Sequence, residues 1–207
     1  MNYEELVAAS KAYADRNDIE VRDNVDVFIT MAEARMNRVL KTRQQSNRAF
    51  TPTVEDRAFY ALPPDYAGIR DIQINSGEPD KSKVSSCTYL NPELFNIKSM
   101  RPSDGLTYYT IIADQFQIFP TPSAGKTIEI VYYQKVPPLT RINKFNWMSL
   151  DHPDIYLAGI IAEIELFVMN YEAAGNWDAR MNRAIEELDS SDNKERWGGS
   201  QLLMRIG

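Results

Sequence analysis

The sequence predicts an α+β protein in which a helical bundle, formed by the N- and C-terminal helices, carries an inserted antiparallel β-sheet domain. Three observations predict it. Apolar residues recur at helical spacing over residues 2–41 and again beyond residue 140. The middle of the chain changes to a two-residue period rich in aromatic and β-branched side chains, and Pro137-Pro138 marks the return to helix. The expected organisation is N-terminal helices over 1–54, the inserted antiparallel β domain over 55–139, C-terminal helices completing the bundle over 140–192, and a flexible docking tail over 193–207.

The first helix starts at Asn2, which with Glu5 has the spacing of a capping box, each side chain satisfying a free amide at the helix start. Tyr3, Leu6, Val7, Ser10, Tyr13 and Ala14 form its inward face. Asn17 and Asp18 interrupt the pattern. A second helix carries Val21, Val25, Phe28, Ile29, Ala32, Met36, Val39 and Leu40 on a single stripe, a rod of roughly 30 Å at about 1.5 Å per residue.

Strands are expected at Arg57–Leu62, Ile69–Ile74, Val84–Tyr89, Thr107–Ala113, Phe116–Phe119 and Thr127–Gln134. The last three are joined by Asp114-Gln115 and by the run Pro120 to Gly125. These connections suit neighbouring antiparallel strands and predict a meander. A short helix over Pro92–Met100 interrupts the sheet. In the third zone Asp151 is the expected N-cap of a helix with Pro153 in its first turn. Ile155 to Val168 is apolar nearly all round, the mark of a central helix. Gly175-Asn176 is expected to turn into the last helix, with Trp177, Met181, Ala184, Ile185 and Leu188 inward. Asp189 to Asn193 should end that helix.

At 207 residues the chain is long enough to bury one substantial core, and 43% hydrophobic with 25% charged residues is ordinary for a globular protein. A net charge of -6 argues against a dedicated nucleic-acid binder, which needs surplus Lys and Arg to neutralise phosphates. The single cysteine, Cys87, excludes an intrachain disulfide or a Cys-rich zinc site, in keeping with a reducing cytoplasm. The opening MNYEELVAASKAYADR lacks the basic start and apolar core of a signal peptide. Ile155 to Tyr171 is interrupted by Glu163 and Glu165 and falls short of the roughly 20 apolar residues of a membrane span.

Catalytic patterns are missing from the sequence. The one histidine, His152, sits at a helix start with no Gly-x-Ser-x-Gly elbow anywhere, and Cys87 reads as a strand residue. Gly198-Gly199 precedes no P-loop lysine, and neither a His-Glu-x-x-His helix nor a calcium loop occurs. Glu163 and Glu165 lie about 200° apart on a helix, so they cannot flank one bond. One is expected to face solvent or an interface, the other to pair with an arginine. No catalytic, cofactor or metal residue is therefore assigned, and an enzyme is not expected.

Two features point to partners. Ala34 to Val54 holds Arg35, Arg38, Lys41, Arg43 and Arg48 without one acid. The helix macrodipole accounts for Arg38 and Lys41 near a C-terminus. It accounts less well for Arg43 and Arg48, which makes the stretch a candidate interface for an acidic protein surface or for DNA. The second feature is the tail: Trp197, the hinge Gly198-Gly199-Ser200, then Leu202, Leu203, Met204, Arg205 and Ile206. So short an apolar segment cannot form its own core and is expected to dock on a partner.

Phe59-Tyr60-Ala61-Leu62-Pro63-Pro64-Asp65-Tyr66, Ile118-Phe119-Pro120-Thr121-Pro122 and Ile128-Glu129-Ile130-Val131-Tyr132-Tyr133 resemble segments of phage head-to-tail adaptor (connector, or head-completion) proteins, as does Asp151-His152-Pro153-Asp154-Ile155-Tyr156-Leu157. The likeness runs over about residues 57–190. It implies a structural virion protein made in the host cytoplasm, assembled at the portal–tail junction as a ring, usually of twelve copies. The ring would bind the portal above and a tail or nozzle protein below, letting DNA pass without gripping it and touching no membrane. On this chain Trp197 and Leu202 to Ile206 become the portal-docking residues and Arg35 to Arg48 a subunit, portal or channel contact. A tail-tube or neck component further from the portal is the alternative, and a DNA-binding accessory protein a more distant one.

Overall fold

The structure, a computed structural model, describes residues 1–75, 78, 80–101 and 104–197, without the side chains of Lys81 and residues 195–197. In chain order the elements are α1 (Tyr3–Tyr13), α2 (Ile19–Asp23), α3 (Val25–Val39), β1 (Ser46–Pro52), β2 (Phe59–Ala61), β3 (Tyr66–Ile74) and β4 (Ser85–Tyr89). They continue with α4 (Pro92–Ser99), β5 (Thr107–Ile112), β6 (Gln115–Phe119), β7 (Thr127–Gln134), α5 (Trp147–Asp151), α6 (Pro153–Phe167) and α7 (Tyr171–Trp197). The class is α+β. The chain divides into two compact units, one of Met1–Gln44 with the chain from Val136 on, the other of Gln45–Lys135.

In the helical unit the capping box forms as expected: the Glu5 amide donates to Asn2 Oδ1 at 2.8 Å and the Asn2 amide to Glu5 Oε2 at 2.9 Å. The long second helix is instead two, broken at Asn24, whose φ of -102° and ψ of 5° leave the helical region. Its stripe is nonetheless buried from Val21 to Leu40, except for the exposed Val39. Helix α6 packs against α1, α3, α5 and α7, which explains why it is apolar on nearly every side. Asp151 is not its cap. Asn146 and Ser149 form a capping box one turn earlier, so Asp151 closes α5 and His152 makes the break before Pro153.

The turn into the last helix also falls elsewhere. It is Val168–Asn170, with Met169 at a φ of 62° and the Asn170 amide donating to Glu165 O at 2.9 Å, and Gly175 lies inside α7. Nor does Asp189 to Asn193 stop that helix. Ser, Asp and Asn cost only about 0.5 kcal/mol each in a helix already formed, and Asp192 is held by Arg43, whose Nε and backbone amide both donate to its carboxylate.

The other unit is a curled sheet of seven strands in the order β1-β7-β3-β4-β5-β6-β2. One cluster of buried side chains, including Tyr60, Ile72, Cys87, Tyr109, Phe116, Ile128 and Tyr132, draws on β2 to β7, with the half-buried Ala49 of β1 packed against it, and fills the inside of the curl. The expected meander fails at its last step. β7 pairs not with β6 but with β1 (Ser46 opposite Tyr133 through Pro52 opposite Thr127) and with β3 (Tyr66 opposite Gln134 through Ile74 opposite Ile128). Both are longer ladders than the five-residue β6 could supply. The sheet is also mixed rather than antiparallel, because β4 and β5 run parallel. α4, capped by Asn91 and packed through the buried Phe95, is the crossover that a parallel pair requires. Residues 46–52, expected with the N-terminal helices, form the edge strand β1.

Candidate functional site

The basic stretch is distributed over four local structures. Arg35 and Arg38 lie on α3, Lys41 follows it, Arg43 is in a short 3-10 turn, and Arg48 is on β1 in the other unit. Acids absent from the stretch itself come from distant parts of the chain. Arg35 lies between α6 and α7, with Nη1 at 3.4 Å from Glu163 Oε1 and an ion pair to Asp178. Arg43 Nε stands 3.0 Å from Asp192 Oδ1, and Arg48 Nη1 3.3 Å from the buried Glu129 carboxylate. Arg38 is exposed in the last turn of α3, where the macrodipole favours it. These pairings are invisible to local sequence reasoning because the partners are remote in the chain.

Of the tail residues, Trp197 closes α7, and its side chain together with Leu202, Leu203, Met204, Arg205 and Ile206 lies outside the described residues.

The groups that could carry chemistry are placed in structural roles. Cys87 is buried on β4, and burial pushes its thiol up to about 12, with the Asp71 charge adding to the shift. A thiol so raised is not a nucleophile at neutral pH. His152 Nε2 is 3.3 Å from Gln44 Oε1, and its ring meets the edge of Trp147. Glu163 pairs with an arginine as expected. Of the two places expected for the other carboxylate, solvent or an interface, solvent does not apply: Glu165 is buried, and its Oε2 accepts from Asn170 Nδ2 at 2.8 Å across the α6–α7 turn. Among the described residues no cluster of His, Cys, Asp and Glu is disposed to hold a metal, and no helix is long and apolar enough to cross a membrane.

What the surface offers is contact area. In the helical unit Val27 and Met31 project from α3 at 45% and 49% exposure, Ile142 stands out of its loop at 97%, and Met169 and Tyr171 form an exposed turn. In the sheet unit Leu94, Ile97 and Met100 line the outer side of α4. Such residues mark interaction surfaces when they cluster. The signal that could have found Val27 and Met31 was present in the sequence: they are apolar positions of α3 that fall outside its buried stripe.

Fold and surface thus define an α+β protein with several exposed apolar side chains in each unit. The sequence matches the SU10 adaptor protein family over residues 1–204, and the chain belongs to that family of phage head–tail adaptors. It is accordingly a structural phage protein and a virion component. No curated protein matches the chain.

Proposed function

We propose that the chain forms a ring of twelve copies between the portal and the tail, completing the head and continuing the DNA channel. The family match over residues 1–204 carries this reading. The helical unit acts as the bundle around the channel, with α6 as its central helix. Neighbouring copies meet through different patches of the same chain, as closure of a ring of twelve requires. The segment of Trp197 and Leu202 to Ile206 reaches the portal, and a tail or nozzle protein docks below. Arg38 and Lys41, with Arg35, Arg43 and Arg48, supply a subunit or channel contact whose net grip on DNA stays weak, since the chain as a whole carries -6.

The test is electron microscopy of the purified chain mixed with its portal, in the natural form and lacking residues 198–207. The natural chain is expected to decorate the portal as a ring and the truncated one to lose portal binding while keeping its helical signal by circular dichroism. A natural chain that does not bind the portal overturns the adaptor reading, and a truncated chain that still binds overturns the role of the tail.

A further inference from the structure

The last turns of α7 are poorly supported by their own sequence. Leu188 still packs against the core of the helical unit, but no apolar residue follows it before Trp197. Asp189-Ser190-Ser191-Asp192-Asn193 consists of residue types whose side chains compete for backbone hydrogen bonds and so favour helix ends and turns. Asp189 and Asp192, three positions apart, also put like charges on neighbouring places of the helix surface, which weakens it. Burial, and after it the Asp192 charge, raises the Asp189 carboxyl above its ordinary 3.8. On these grounds the helix should end after Leu188, yet α7 runs on to Trp197.

A contact from a distant part of the chain lies at the weak point. Asp192 Oδ1 accepts from Arg43 Nε at 3.0 Å, and the Arg43 backbone amide stands 3.2 Å from each oxygen of the same carboxylate. Arg43 follows the buried Leu40 and Thr42, so its amide is offered from a backbone that is already fixed. The Asp192 side chain is 12% exposed in this grip, whereas Arg43 is 47% exposed, so the clasp is open to solvent on the arginine side. Hydrogen bonds to a carboxylate are stronger than those between neutral groups, which is the kind of support a helix segment without apolar contacts needs.

We propose that the Arg43–Asp192 clasp is a conformational lock that decides where α7 ends. Closed, it carries the helix to Trp197; open, the helix ends at Leu188 and residues 189–197 leave it, as segments of low local stability do in order–disorder switches. The helix end then moves back by about 14 Å along its axis. This is a property of the chain by itself and does not rest on the adaptor reading. If the segment beyond Trp197 does reach the portal, the lock sets the point from which it departs.

The experiment is hydrogen exchange of the full-length chain, read by mass spectrometry on peptides covering residues 190–197, with those covering α6 and α7 up to Leu188 as internal reference. Asp192→Ala is the decisive variant. It opens the clasp, but it also puts the best helix former at that position and removes the like charge beside Asp189, so local propensity and the lock predict opposite outcomes. Exchange over residues 190–197 should accelerate at least about tenfold, the loss expected when hydrogen bonds to a charged group are removed. Arg43→Ala, which leaves the sequence of α7 untouched, should accelerate the same peptides. Combining the two substitutions should add little to Asp192→Ala alone, because both remove one contact. Ser190→Ala, at an exposed position that keeps the clasp, should leave exchange unchanged or slow it. Slower or unchanged exchange in Asp192→Ala would overturn the lock. So would a natural chain in which residues 190–197 already exchange as freely as an unfolded peptide, or equal acceleration by Ser190→Ala. Acceleration that spreads to α6 and to α7 before Leu188 would also overturn it, since Arg43 and Asp192 would then support the whole helical unit and not its last turns. All these readings use the free chain, so a failure to bind the portal leaves them as they are.

Discussion

Glu33 shows how much one side chain of α3 organises. Its carboxylate is buried, and Oε1 alone accepts from the Leu139 amide at 2.7 Å and from the Tyr156 hydroxyl at 2.8 Å. One turn further along α3, Asn37 Oδ1 accepts from the Val136 amide at 2.7 Å, so two side chains of one helix fasten the chain as it returns from the sheet unit. Asn146 Nδ2 donates to the same Tyr156 hydroxyl at 2.7 Å. Burial raises the Glu33 pKa from its ordinary 4.5, and the two hydrogen bonds offset that rise only in part. The folded carboxyl thus holds its proton where the unfolded chain has released it. Ionisation of Glu33 therefore subtracts from stability, beginning near the ordinary carboxylate value and growing until the pH passes the raised one. Glu33→Gln abolishes this titration and keeps an oxygen where both donors meet. The melting temperature of Glu33→Gln minus that of the natural chain should accordingly increase from about pH 4.5 upward, and parallel profiles at all pH values would refute the assignment. Glu33→Ala strands two donors and should cost about 1–3 kcal/mol per group left unpaired. Nothing in the sequence separated Glu33 from its exposed neighbours, because its partners lie more than a hundred residues away in the chain.

Elements were legible in proportion to how much of their burial is set locally. α1 declared itself through its cap and α6 through its unbroken apolar composition, whereas the ends of α5, α6 and α7 depended on which of several nearby Asn, Asp and Gly residues the tertiary structure used. Strand β1 left almost no signal. None of its residues is fully buried, and the edge it presents is blunt: the Arg48 amide is taken by Asn47 Oδ1 at 2.8 Å, and Pro52 has no amide to offer. Strand order was hidden for a related reason, since short connections permit neighbouring strands without requiring them. The basic stretch was legible as charge, but its acidic partners arrive by tertiary folding. A sharper local constraint sits at Gly159 on α6. A Cβ there would stand 3.1 Å from Ala32 Cβ and 3.1 Å from Met181 Sδ, so α3 and α7 both close on the bare backbone of α6. Met181 can bend away but the Ala32 methyl cannot, and Gly159→Ala should destabilise the helical unit by about 1–3 kcal/mol despite the better helix propensity of alanine. Chemical denaturation measures it, and a neutral or stabilising result would mean that α3 shifts without cost.

At the scale of the whole molecule the sheet unit is an insertion whose two ends meet. Ser46 begins β1, and its ladder partner Tyr133 lies next to the end of β7, so the chain enters and leaves the sheet unit on adjacent strands. Paired residues of an antiparallel ladder have Cα atoms about 4.5–5.5 Å apart. Each unit also has its own core, one built from residues such as Leu6, Phe28, Met36, Ile160 and Met181, the other from the inward side chains of the sheet. An insertion with adjoining ends and an independent core can be removed without tearing the host. Joining Gln44 to Val136 through a short Gly-Ser linker should therefore leave a helical unit that unfolds cooperatively, with the Glu33 and Asn37 anchors still available to Leu139 and Val136. Residues 45–135 expressed alone should give a β-type circular dichroism spectrum and a cooperative transition of their own, because β1 and β7 pair within the unit and need nothing from the helices for their ladder. Thermal unfolding of both fragments measures this. If the joined helical unit melts without cooperativity while the full chain does not, the core of the helices depends on the insertion; if residues 45–135 fail to fold, the sheet depends on its host. Cooperative unfolding of both would establish that each unit folds from its own core, with the sheet unit a true insertion into the helical one.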